Sequence, residues 1–351
     1  MKILVTGGAG FIGSAFIRHV LAQSDASIVN VDCLTYAANP RALEGAETNP
    51  RYAFERQDIA DGAAIKAIFQ RHRPDAVIHL AAESHVDRSI DGPGSFIQTN
   101  LVGTYAMLEA AREYFGTLGG DAKARFRFHH VSTDEVFGSL GASGKFTEDS
   151  PYQPNSPYSA TKAGSDHLVR AWFETFGLPV VISNCTNNYG PWQFPEKLIP
   201  TILVNALADK PIPIYGTGEN VRDWLYVDDH AEALWTILTR GRNGASYNVG
   251  GDCERTNLEV AKAVCNCLDA LHPRDDGTSY ETLITFVTDR PGHDLRYAMD
   301  TSKIAAELGW KPHHDFTAGL EATLKWYLDH EAWWREVLAT VYDGRRQGLG
   351  R

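Results

Sequence analysis

Short apolar runs recur along this chain and alternate with longer stretches in which apolar residues return every three or four positions. Strand-like runs stand at 2–6, 27–31, 76–80, 126–132 and 180–183, and helix-period patterns fill 95–114 and 157–176. The second helix is punctuated at both ends: Ser156 reads as an N-cap, Pro157 takes the first helical position, and Gly177 is a C-terminal stop. Alternation of this kind predicts an α/β fold built on a doubly wound parallel sheet, with ligands held beyond the carboxyl ends of the strands. Thr133-Asp134-Glu135 and Ala81-Ala82-Glu83-Ser84 stand at two such ends.

The first run leads into Gly7-Gly8-Ala9-Gly10-Phe11-Ile12-Gly13 and then a periodic segment through Leu21. Strand, glycine turn and helix in that order are a dinucleotide-binding arrangement, readable as Gly8, Gly10, Gly13 or as Gly7, Gly10, Gly13. Glycine lets the backbone turn tightly and approach a pyrophosphate, whose charge then rests on the helix N-terminus. The next strand ends in Asp32, placed to accept the adenine-ribose hydroxyls. A carboxylate there repels a 2'-phosphate, so NAD is expected rather than NADP. The sheet is therefore expected to be Rossmann-type.

At 351 residues the chain exceeds one ordinary domain. After Cys185 the pattern turns irregular, with Pro191, Pro195, Pro200, Pro211 and Pro213 in close succession. The expected division is a cofactor-binding Rossmann domain over 1–186, with returning elements around 223–249, and a smaller C-terminal substrate-binding domain from 187–222 and 250–335. Residues 344–351 read as a flexible tail.

Tyr158 and Lys162 lie four apart, on one face at the start of the second helix. A free phenol ionises near pH 10, and an adjacent ammonium and a cationic nicotinamide ring would both favour phenolate, which suits a general base. Thr133, Asp134 and Glu135 add a hydroxyl and two neighbouring carboxylates. That is more chemistry than a plain dehydrogenase needs, and it predicts redox chemistry coupled to an elimination. Neighbouring carboxyls in a water-poor site cannot both ionise cheaply, so their titrations should split into one acid and one base. Adjacent residues on a regular strand point to opposite faces, so both can reach one ligand only if the strand has already turned.

Composition narrows the partners. A net charge of −11, with acids spread along the chain, argues against nucleic acid, so an anionic ligand must be held locally. Five cysteines without paired spacing fit a reducing compartment, and Cys265 and Cys267 read as packing. His129, His130 and His293 are not spaced as metal ligands, so no metal is expected. Glycines and Arg18-His19 break any signal-peptide pattern, and no run approaches the roughly 18 apolar residues of a membrane span. A cytoplasmic protein without membrane contact is expected.

The glycine turn, the run from Leu80 to Ser89 and Tyr158-x-x-x-Lys162 resemble extended short-chain dehydrogenase/reductases acting on nucleotide sugars. More narrowly, Ser132 to Gly138, Asn187 to Pro191, Phe194 to Pro200, Arg222-Asp223-Trp224 and Asp289 to Asp294 are similar to the dTDP-glucose 4,6-dehydratase family, over roughly residues 1–330. Trp192 departs from it, since tyrosine is more usual there. The resemblance implies NAD contacts from Gly7, Gly10, Phe11, Ile12, Gly13, Asp32, Cys33, Leu34, Thr35, Asp58, Ile59, Leu80, Ala81, Ala82, Thr99, Tyr158, Lys162 and Asn188. It implies substrate contacts from Ser84, Thr133, Asn187, Lys197, Leu198, Pro213, Ile214, Tyr215, Arg222, Asn257, Asp289, Arg290 and His293. Arginine suits the pyrophosphate because its planar fork grips two oxygens.

It also implies roles. Tyr158, helped by Thr133, takes the proton of the sugar's C4 hydroxyl as hydride leaves C4. Glu135 removes the acidified C5 proton, Asp134 protonates the departing C6 hydroxyl, and hydride returns to C6. Relatives of this kind are usually homodimers. Two rivals stand beside this reading: another nucleotide-sugar enzyme of the same fold, either a 4-epimerase or a GDP-mannose 4,6-dehydratase, and a non-enzymatic NAD sensor. An epimerase has no need of a carboxylate pair, the GDP-mannose enzyme usually prefers NADP, and a sensor needs none of the reactive groups. The nucleobase is not fixed by physical reasoning on the sequence.

Overall fold

The computed structural model describes residues 1–341; the tail expected at 344–351 lies outside them. Seven parallel strands make the main sheet: β1 (Lys2–Thr6), β2 (Ser27–Asp32), β3 (Tyr52–Arg56), β4 (Ala76–His79), β5 (Arg127–Thr133), β6 (Val180–Cys185) and β10 (Ser246–Val249), in the order β10-β6-β5-β4-β1-β2-β3. Ile3, Leu4, Val5, Val77 and Ile78 are fully buried. Continuous apolar runs are what a sheet covered on both faces requires, and separate apolar cores pack on either side of this one. Its principal helices are α1 (Phe11–Gln23), α2 (Gly62–His72), α3 (Thr104–Thr117), α4 (Pro157–Phe176) and α5 (Val227–Arg240).

The strand order reverses between β1 and β4, so the loops after these two strands flank the crevice where such sheets bind ligands. They touch: a Cβ on Gly7, after β1, would lie 2.7 Å from the backbone of Ala81, after β4.

The remaining strands form two small sheets. β7 (Asn187–Tyr189), β9 (Val221–Tyr226) and β11 (Glu254–Thr256) make one, and β8 (Ile212–Tyr215) with β12 (Ile284–Val287) the other. Of the stretch 223–249, β10 joins the main sheet and α5 packs on α1, whereas residues 223–226 belong to β9 in the small sheet. Below these sheets, Trp192, Trp326 and Trp333 form an aromatic cluster. Trp333 donates to the Asn39 side chain (3.2 Å), and Asn39 N–H donates to Ala9 O (2.7 Å), so the helix Glu331–Thr340 reaches the glycine turn.

The helix expected over 95–114 is not continuous. A four-residue helix, Pro93–Phe96, passes into a π-helical stretch, Ile97–Gly103, before α3 begins. Two contacts fix the wide turn. Gly103 lies against the buried Ile59 side chain, where a Cβ would come within 2.6 Å. Asn100 is turned inward, accepting from Glu83 N–H (2.9 Å) and donating to Glu83 O (3.1 Å) and the Thr161 hydroxyl (3.0 Å). π-Bulges commonly mark functional sites, and this one ties the loop after β4 to α4.

Candidate functional site

The glycine turn is built for close approach. Gly7 has φ +70, and a Cβ on Gly13 would lie 2.2 Å from Gly7 O, so a side chain at either position would open the turn. No side chain caps α1 and no acid sits in its first turn, which leaves its N-terminal amides and dipole for an anion. Asp32 accepts from Ala9 N–H (2.9 Å) and Leu34 N–H (2.8 Å), the latter from a residue at φ +59. Burial still holds its carboxyl above the usual range. Asp32 therefore shapes the turn itself. Asp58 caps the next loop by accepting from Ala60 N–H (2.8 Å). Tight turn, uncapped helix and acid together fit a dinucleotide.

The carboxylate pair sits where the chain leaves β5. A 3-10 turn, Asp134–Phe137, begins directly after Thr133, whose hydroxyl accepts from Glu135 N–H (3.3 Å) and donates to Asp134 Oδ1 (3.1 Å). The strand has turned before the second carboxylate, so alternation does not separate the two. Asp134 is 1% exposed and its Oδ2 has no partner. Burial first, and Glu135 second, push the Asp134 carboxyl well above its usual range. Glu135 is also raised by burial, but Arg290, Arg222 and Lys197 pull it down. The two carboxyls thus sit in different environments: Asp134 beside another acid with little to offset its burial, Glu135 beside three cations.

Tyr158 and Lys162 lie on α4, capped by a Ser156–Ser159 capping box with Pro157 in the first turn and closed by Gly177 in the left-handed region. In the protein alone the Tyr158 phenol is shifted up. Burial is the main cause and the Glu135 carboxylate the next, outweighing a hydrogen bond with Thr133. The Lys162 ammonium donates to Val131 O (2.9 Å).

A second cluster faces the carboxylates. Arg222 donates to Val221 O (2.7 Å) and Asp294 O (3.0 Å) and lies over the Tyr297 ring, its guanidinium carbon 4.2 Å from the centroid. Arg290 pairs with Asp87 (2.7 Å), which also accepts from Tyr215 OH (3.0 Å), and Arg290 Nε is buried without a partner. His293 bonds Asp289 (2.7 Å), while burial and the neighbouring Arg290 and Arg222 hold its imidazole down at about 4. Lys197 donates to Ser84 O (3.1 Å) and precedes the helix Leu198–Leu207.

Three other expected contact residues are engaged within the protein. The Ile214 side chain is in the core. Asn188 spends its side chain on Thr186 O (2.9 Å) and His230 (2.9 Å). Asn257 donates its backbone N–H to Asn220 O (3.0 Å). Sequence reasoning gave no role to Asn100, Asp87 or Asp166; the signal available for Asp166 was its place one turn beyond Lys162 on the same helix face. No three His, Cys, Asp or Glu side chains gather as a metal site among the described residues.

A Rossmann sheet carrying Tyr158 and Lys162 on the helix after β5, with two carboxylates at that strand's end, defines a short-chain dehydrogenase/reductase modified for elimination. The family model described as GDP-mannose 4,6 dehydratase matches residues 4–323. A dTDP-glucose 4,6-dehydratase of Escherichia coli is 55% identical over 99% of this chain and 99% of its own, and that of Haemophilus influenzae is 57% identical over 93% and 98%. Among solved structures, the dTDP-glucose 4,6-dehydratase of Bacillus anthracis in complex with NAD superposes with TM-score 0.85 at 41% identity, covering 96% of this chain and 99% of that one. A UDP-glucose 4-epimerase of Thermotoga maritima shares the fold at TM-score 0.83 and 27% identity, covering 94% and 100%. The chain belongs to the GDP-mannose 4,6 dehydratase family and, by its full-length relatives, to the dTDP-glucose 4,6-dehydratases within it.

Proposed function

We propose that this protein is an NAD-dependent dTDP-glucose 4,6-dehydratase, converting dTDP-glucose to dTDP-4-keto-6-deoxyglucose and water. The observation that carries the reading is the carboxylate pair, Asp134 buried and Glu135 half-buried, in one turn at the end of β5 beside Tyr158. The glycine turn, Asp32, Tyr158 and Lys162 would hold NAD, which would supply the hydride acceptor for C4 and the donor for C6. Tyr158 takes the C4 hydroxyl proton, with Thr133 sharing a hydrogen bond and Lys162 and the cofactor's positive charge offsetting the raised phenol. The ketone acidifies C5–H; Glu135, kept more ionisable by three cations, removes that proton, and protonated Asp134 delivers one to the departing C6 hydroxyl. Arg222 and Arg290 hold the pyrophosphate, the unpartnered Arg290 Nε being free for an oxygen.

We assign the seven-stranded sheet and its helices to the cofactor, and the small sheets with the segments around them to the nucleotide sugar. No helix among the described residues is long and apolar enough to cross a membrane, which supports cytoplasmic work. Ile97, Val102, Tyr105 and Phe176, each 39–49% exposed, with Tyr105 and Phe176 both packed on Trp172, favour a homodimer joined through the α3 and α4 faces. The test is incubation of purified, NAD-loaded protein with dTDP-glucose. The expected product is the 4-keto-6-deoxy sugar with no free NADH, and stoichiometric NADH release would point to a simple dehydrogenase.

A further inference from the structure

Behind the reacting groups lies a buried carboxylate the mechanism above does not use. Tyr158, Lys162 and Asp166 follow one another at four-residue spacing, so α4 presents them as one stripe. Asp166 is 2% exposed and collects donors from three other parts of the chain. Its Oδ2 accepts from Ser132 (2.7 Å) on β5, Tyr152 (2.9 Å) in the loop before α4, and Asn184 (3.3 Å) on β6, and its Oδ1 meets His130 Nε2 at 3.1 Å. Asn184 also donates to Thr133 O (3.1 Å), so the same network grips the end of β5 where the reacting turn starts.

We propose that Asp166 is a positioning residue: the buried counter-charge that keeps the Lys162 ammonium charged and in place beneath Tyr158, and that fixes β5 against α4. The inference rests on the dehydratase reading of this site.

The groups around Lys162 leave Asp166 that task alone. On α4 itself stand Tyr158 and Asp166; β5 contributes His130 and the Val131 carbonyl, β4 contributes His79, and β6 contributes Cys185. Burial holds His130 down at about 4 and His79 well below its usual value, so neither is charged at neutral pH. Burial pushes the Cys185 thiol up to about 12, so it is no anion. Burial also works against the Asp166 carboxylate, yet hydrogen bonds from His130 and Ser132 and the charge of Lys162 hold it below the usual range. Lys162 itself is lowered by burial, and Asp166 is the chief influence opposing that. A buried ammonium without an anion would shed its proton.

The sign of the effect follows. A lysine needed in its charged form works below its pKa and fails as pH rises through it. Removing Asp166 lowers that pKa, so the alkaline limb of kcat should move to lower pH. Lys162 and Asp166 stand one turn apart on α4, which makes their side chains neighbours on the helix; an opposite charge within about 4–6 Å shifts a pKa by roughly 1–3 units, so the NAD-loaded Asp166→Asn enzyme should show that limb about one unit or more lower. Asp166→Glu, which keeps the charge, should leave the limb near its wild-type position even if the rate falls. A uniform loss of rate with an unmoved limb in Asp166→Asn, or equal displacement in both variants, overturns the proposal. Should Asp166→Asn not fold, the double variant Asp166→Asn with Lys162→Met should fold, because it leaves no unpaired buried charge; a double variant as unfoldable as the single one overturns it equally. If wild type makes no 4-keto-6-deoxy product, the dehydratase reading itself has failed; if wild type turns over and only the limb prediction fails, the fault lies with Asp166.

Discussion

Replacing Glu135 by glutamine separates oxidation from elimination. Glu135 is the leading charge raising both the Asp134 carboxyl and the Tyr158 phenol, after burial in each case. Neutralising it therefore makes Tyr158 easier to ionise, so the C4 oxidation should survive and its acidic limb should move to lower pH. The C5 proton, in contrast, loses its base. Loss of a general base costs about 100- to 10,000-fold, equivalent to roughly 3–5 kcal/mol of barrier, against a first step left intact. In a single turnover the Glu135→Gln enzyme should hold reduced-nicotinamide absorbance and an unreleased 4-keto-glucose nucleotide that has not lost water. Tyr158→Phe should show neither. Wild type run in deuterated water should carry deuterium at C5 of its product. Ordinary turnover by Glu135→Gln, or product without deuterium at C5, would refute the assignment and bring the epimerase reading forward.

Asp32→Asn should weaken NAD binding and narrow the gap to NADP, since it removes a ribose acceptor, a like-charge repulsion and one of the acceptors bracing Ala9 and Leu34; calorimetric titration with an unchanged preference would remove Asp32 from the ribose. Asp134 has a raised folded-state pKa, so its contribution to stability is complete below the unfolded carboxyl value of roughly 3.9 and is lost as pH rises through the folded value. Asp134→Asn has nothing to ionise: it should melt above wild type at alkaline pH, with the gap closing toward acid, while turnover drops by roughly 100-fold or more. A calorimetric gap that widens toward acid would contradict this. Tyr105→Glu combined with Phe176→Glu should halve the mass seen by sedimentation equilibrium if the helix face joins two copies, and an unchanged mass would place the contact elsewhere.

What was legible in the sequence was whatever is decided locally. The bounds of α4 follow from Ser156, Pro157 and Gly177, each acting within a turn of itself, and β1 with its glycine turn is marked by residues in direct succession. The π-helical stretch was not legible, because Asn100 is held by Glu83 and Thr161, 17 and 61 positions away. The network on Asp166 escaped for the same reason: its donors come from two strands and a loop that only the folded sheet brings together.

The carboxylate pair shows where local reasoning stops. Two adjacent acids predict a split titration, but not which residue takes which role, since each has the same neighbour. That asymmetry comes from tertiary structure. The 3-10 turn buries Asp134 completely and leaves one of its oxygens without a partner, while Arg222, Arg290 and Lys197, all distant in sequence, lower Glu135. Arg222 and Arg290 sit where a nucleotide sugar's pyrophosphate is proposed to bind, so that anion would partly screen them and raise Glu135 further, strengthening it as a base. Substrate binding and base strength would then be one electrostatic event, and truncating the nucleotide should cost kcat as well as affinity.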